Sequence, residues 1–126
     1  MTALNTFAPL VARIFFGLLF LGAGAGKLAD PAGFTGYLTS GGLPAFLAWP
    51  SILFELVVGL GLIAGFQTRI LALLGAGFCV ATALLYHFQP ADQIQMTMFF
   101  KNFAIAGGLV LLAAHGAGRY AVDKTA

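Results

Sequence analysis

Two side chains of opposite charge, Arg13 and Glu55, interrupt stretches that are otherwise apolar, FAPLVARIFFGLLFLGAGAG and PAFLAWPSILFELVVGLGLIAG. Counted at 1.5 Å per helical residue, they sit roughly 12 and 15 Å from the same end of their segments. A lone charge near the bilayer centre costs about 3 kcal/mol or more. A guanidinium fork meeting a carboxylate offsets most of that cost. The expectation is therefore a buried ion pair between Arg13 and Glu55. Such a pair either fixes how two helices pack or anchors a ligand or a proton path, and the sequence leaves both open.

A second polar group gathers at the opposite end of these segments. Lys27 closes the first apolar run, His87 and Gln89 close the third, and Lys101 with Asn102 opens the fourth. Alternation of the spans brings them together, about 5–10 Å from the headgroups, with Glu55 somewhat deeper. Lys27 and Lys101 also read as side chains that snorkel to the interface. An amide such as Asn102 is costly in lipid and seeks a partner. Lys27, His87, Lys101 and Asn102 thus form a candidate ligand-binding group, a shallow cationic vestibule for a small anion or a quinone carbonyl.

Other chemistries are poorly supplied. His87 and His115 are expected at opposite ends of a bundle, roughly 30 Å apart, so they cannot share a haem. No third or fourth convergent ligand suggests zinc. Cys79, in GAGFCVATALL, is the one cysteine, which excludes an internal disulfide and a dithiol cycle. It reads as a small hydrophobe. The segment GAGAGKLAD at 22–30 is not a phosphate loop: residue 21 is leucine and Leu28 follows Lys27 where a hydroxyl is required. The dinucleotide pattern fails as well, because Lys27 or Ala29 occupies its last glycine position.

The elements that must position these groups follow from composition. The 126 residues are 60% hydrophobic and 8% charged, with a mean hydropathy of +0.97. A soluble domain needs a charged shell of about a quarter of its residues. The chain is therefore expected to be all-α and integral to a membrane, a single four-helix bundle with spans at about 7–26, 44–65, 69–87 and 98–115. The N-terminal run is expected to be a retained span, since no basic region precedes it in the chain. Pro50 lies within the second span and is expected to bend it. Asp30–Pro31 is a helix-start pair, and Gly41–Gly42 a stop. The intervening Phe34, Tyr37 and Leu38 share one face, which predicts a short interfacial helix between spans one and two. The pairs Gly22/Gly26 and Gly61/Gly65 suggest close helix packing, with self-association as a second use. Net charge is +2 without a basic cluster, so nucleic acid is not an expected partner. Arg69, Arg119 and Lys124 on one side against Lys27 and Lys101 on the other predict cytoplasmic termini.

The order of short motifs resembles a known family. RIFFGLLFLGAGAGKL, FELVVGLGLIAGFQTRILAL and FFKNFAIAGGLVLLAAHGAGRYAVD are similar to segments of the DoxX family of small four-helix bacterial membrane proteins. Ala121 stands where many relatives carry serine. The resemblance implies residence in the bacterial inner membrane. It also implies a link to thiosulfate:quinone oxidoreduction, or to complexes that respond to oxidative or thiol stress. The leading expectation is a quinone-proximal subunit or accessory of such a system, working with a membrane-protein partner and without a catalytic motif of its own. The alternatives are a structural subunit of a larger complex and, last, a small-solute carrier.

Overall fold

The computed structural model describes residues 2–124, and no strand occurs among them. The first span is the helix α1, Thr2–Ala29, 28 residues long. It overruns the expected 7–26 because helical hydrogen bonding continues past the apolar run: Thr6 Oγ1 donates to the Thr2 carbonyl at 2.7 Å. Asp30 ends it and caps the next helix, its carboxylate accepting from Gly33 N at 3.0 Å. That helix, α2, covers Pro31–Ser40 and stops at Gly41 and Gly42, the latter with φ +93°.

The second span enters through a single 3-10 turn, Ala45–Leu47, and continues as α3, Ala48–Ala64. Pro50 falls in the first turn of α3 rather than in mid-span. Its missing N–H lacks an α-helical partner there in any case. Left-handed backbone at Gly65 (φ +76°) and Gln67 (φ +49°) makes the tight reversal into α4, Thr68–Thr82. The last turn of this third span widens into a π-helical turn, Ala83–His87. The fourth span, α5, is Gln93–His115. It starts before the expected residue 98 because Asp92 caps it, accepting from Ile94 N at 3.0 Å and Gln95 N at 3.2 Å.

The helices associate chiefly as two close pairs, α1 with α3 and α4 with α5. In lipid, apolar burial gives helices no reason to associate, so backbone proximity carries the packing. The close approach is between Gly17 and Gly59: a Cβ on Gly59 would lie 2.6 Å from Leu21 N and 2.9 Å from the Gly17 carbonyl. By contrast, Gly22 and Gly26 have nothing within 4 Å of an added Cβ and take no part in the bundle seam. Between the pairs, Phe20, Val58, Leu62, Leu109 and Leu112 form the buried core.

The C-terminal tail clamps the α3–α4 reversal. Val122 N donates to the Ala64 carbonyl at 3.0 Å and Asp123 N to that of Gly65 at 2.8 Å. The Asp123 carboxylate accepts from Gln67 N at 2.7 Å and Thr68 N at 2.9 Å. Burial alone would raise the Asp123 pKa. The Thr68 and Gln67 amides and the Arg13 charge prevail, holding it below the ordinary 3.8. A depressed carboxylate contributes stability that is complete above the unfolded-state value and is lost as pH falls through the folded one. Thermal midpoints of wild type and Asp123→Asn should therefore differ at neutral pH and converge as pH drops below about 3.8. A gap that persists unchanged into acid would show that the carboxylate charge is not what caps α4.

Candidate functional site

The expected Arg13–Glu55 pair does not form. Arg13, fully buried, donates through Nη1 to the Leu62 carbonyl at 3.4 Å and the Ile63 carbonyl at 3.2 Å, and through Nη2 to the Tyr120 carbonyl. It satisfies the C-terminal carbonyls of α3 and ties the tail to them. Glu55 instead accepts from Lys27 Nζ at 2.5 Å. The reason lies in the helix register. Gly17 packs on Gly59 and Gly24 on Leu56, which places position 13 beside residues 62–63 and position 27 near residue 55. The carbonyls that hold Arg13 lie seven to eight residues beyond Glu55 on α3, roughly 11 Å along the bundle.

Lys27 and Glu55 belong to a different constellation, at the α2 end of the bundle. There a cavity of about 380 Å³ opens between the two helix pairs, and Lys27, Glu55, His87, Lys101 and Asn102 all line it. Its inner end is closed by Phe20 and Phe78, with Phe54 against Phe78 at a centroid distance of 5.0 Å. Phe34, Tyr37 and Leu38 of α2 form its outer wall. The face they share is thus turned toward the cavity.

Hydrogen bonds decide which polar atoms remain available. The Lys27 ammonium is held between Glu55 and the Phe34 ring, 5.2 Å from its centroid. Asn102 spends its amide on α4, donating to Thr82 Oγ1 at 3.0 Å and the Cys79 carbonyl at 3.3 Å. That leaves its Oδ1 as an acceptor. His87 Nδ1 lies 2.7 Å from Gln95 Oε1; in the tautomer in which Nδ1 donates to that carbonyl oxygen, Nε2 is left as the second acceptor. Lys101 forms no salt bridge among the described residues and is the cation without a committed counter-charge. Gln89 does not line the cavity; its amide donates to the Tyr86 carbonyl at 3.3 Å.

Tyr86 is the lining residue that sequence reasoning missed. Its ring stacks on Tyr37 at 5.1 Å and its hydroxyl donates to the Leu38 carbonyl at 2.6 Å. Gly41 lies so close to the same ring that a Cβ there would overlap it. Tyr86 therefore fastens α2 over the cavity. The π-helical turn places Tyr86 and His87 together on this wall, and a 3.6-residue periodicity gives no sign of it.

Comparison with known proteins agrees with this architecture. The DoxX family model matches residues 8–88, which include Arg13, Lys27, Glu55 and His87. "Inner membrane protein YqjF" of Escherichia coli is 42% identical over 124 residues, covering 98% of this chain and 95% of that one. The chain belongs to the DoxX family. A second relative, "Inner membrane protein YphA" of Escherichia coli, is 32% identical over 122 residues, 91% of this chain and 87% of its own length. No solved structure matches the chain at a significant level. With four helices long and apolar enough to cross a bilayer, this DoxX chain is an integral, multi-pass inner-membrane protein. The cavity-lining Lys101 and Asn102 lie beyond the residues that the DoxX model matches.

Proposed function

We propose that the cavity holds the head group of a quinone, and that the chain is a quinone-proximal subunit or accessory of a membrane redox system. The supporting observation is the cavity itself: an apolar chamber at the lower end of small-molecule site volumes, with a few convergent polar groups. Phe34, Phe78 and Tyr37 supply flat walls for a ring. Lys101 Nζ is a donor for a carbonyl oxygen, and Asn102 Oδ1 and His87 Nε2 accept from a hydroxyl of the reduced form. The Lys27–Glu55 pair contributes a fixed dipole at the wall. A bound quinone would supply the electron chemistry; the chain's own residues hold and orient it.

Cys79 is the sole cysteine, and no group of three or more metal-ligating side chains occurs among the described residues. The redox centre that exchanges electrons with the quinone then belongs to a membrane-protein partner. The setting that the family resemblance implies is thiosulfate or thiol oxidation, or the response to oxidative stress. Both termini are assigned to the cytoplasm, on the side of Arg69, Arg119 and Lys124.

Calorimetric titration of ubiquinone or menaquinone into the detergent-solubilised chain tests the assignment. Saturable binding is expected, weakened about tenfold or more by Lys101→Ala, which removes a charged donor. Absence of saturable binding, or binding indifferent to Lys101, would overturn it.

A further inference from the structure

The opposite end of the bundle carries a second cavity, larger and more polar, of about 900 Å³. It lies between the α3–α4 reversal, the end of α5 and the tail, and its basic groups are Arg69, Arg119, Lys124 and His115. Among the described residues Asp123 is the single carboxylate on its wall, and both its oxygens already accept backbone N–H bonds. Among the described residues, three full cations thus line the cavity against one carboxylate that is otherwise engaged.

Arg69 is held rigidly there. Nη1 donates to the Ala113 carbonyl at 2.8 Å and the Ala114 carbonyl at 2.7 Å, and Nη2 to the His115 carbonyl at 3.3 Å. Three of the five N–H donors of a guanidinium are used, and the other two have no partner among the described residues. The three carbonyls at the end of α5 fix the plane of the guanidinium before any ligand arrives. A fork fixed in this way suits the paired oxygens of a phosphate group. Arg119 and Lys124 are exposed, and neither donates a hydrogen bond among the described residues.

We propose that this cavity is a binding site for a phosphate-bearing anion, with Arg69 as the fixed fork and Arg119 and Lys124 as its adjustable cations. Such chemistry comes from two sources, the headgroup of an anionic phospholipid or free phosphate. Basic pockets at the ends of membrane helices take up anionic headgroups on this electrostatic ground. The site is independent of the α2-end cavity and shares no lining residue with it.

Native mass spectrometry of the detergent-solubilised full chain, with added phosphatidylglycerol or phosphatidylcholine, reads the site directly. Phosphatidylglycerol should be retained in preference to phosphatidylcholine. The double variant Arg119→Gln/Lys124→Gln should weaken that retention about thirtyfold, at about fivefold per cation. Phosphatidylglycerol that persists against excess inorganic phosphate identifies the lipid as occupant. Displacement by phosphate alone identifies the free anion. Equal retention of both lipids, or retention unchanged in the double variant, overturns the proposal.

Discussion

Replacing Lys27 by methionine is expected to destabilise the bundle by about 3 kcal/mol, the lower end of the range for breaking a buried ion pair, because Lys27 itself is 28% exposed. Glu55, whose side chain is 4% exposed, would lose its counter-charge and have to stay unpaired or take up a proton in the cavity wall. A second substitution, Glu55→Met, should return most of the loss, since two packed apolar side chains often replace such a pair at little cost. Unfolding of wild type, the two single variants and the double variant in detergent micelles completes the cycle. The sign of the rescue is the informative quantity. A Lys27→Met variant within about 0.5 kcal/mol of wild type, as for an ordinary surface change, would remove the pair from the account.

Arg13→Leu should cost a similar amount, about 3–5 kcal/mol, for a different reason. The guanidinium serves the Leu62, Ile63 and Tyr120 carbonyls, and its charge also acts on Asp123. Its removal would leave the last turn of α3 unsatisfied and loosen the tail that closes the α3–α4 reversal. Arg13→Lys keeps the charge but loses the fork, so an intermediate loss is expected. The decisive control is a double-mutant cycle between Arg13 and Glu55. At roughly 11 Å apart along the bundle, and with no shared partner, the two should be additive within about 0.5 kcal/mol. A coupling above about 1 kcal/mol would reinstate the direct pair.

The expectation of that pair shows where sequence reasoning stops. Four spans were legible because each is a long apolar run with a break at Asp30–Pro31, at the Phe-Gln-Thr turn, or near Pro90. Four polar residues of the α2-end cavity were legible too, because alternation of the spans alone sends Lys27, His87, Lys101 and Asn102 to one end. Pairing was not. Depth counted from the ends of apolar runs misjudges register, since α1 begins at Thr2 and α3 at Ala48. Register depends on which glycines admit a neighbouring backbone, and the choice of Gly17 and Gly59 over Gly22 and Gly26 is a property of two helices together. Likewise, Asn102 carries an amide whose need for a partner was apparent, but the partner, Thr82 and the Cys79 carbonyl, depends on how α4 meets α5. Tyr86 escaped notice because a widened helical turn leaves no periodic trace.

The stretch that separates Arg13 from Glu55 bears on electrical behaviour. Residues 14–26 of α1 and 56–63 of α3 contain no polar side chain, and Phe20, Val58, Leu62 and Leu109 fill the space between the helices. This slab is a dielectric, and a transmembrane voltage must drop across it at about 2.3 kcal/mol per elementary charge per 100 mV. A charge in the α2-end chamber is therefore separated from the Arg13 end by packed apolar side chains. The two polar ends of the bundle are thus kept apart by a layer of apolar packing.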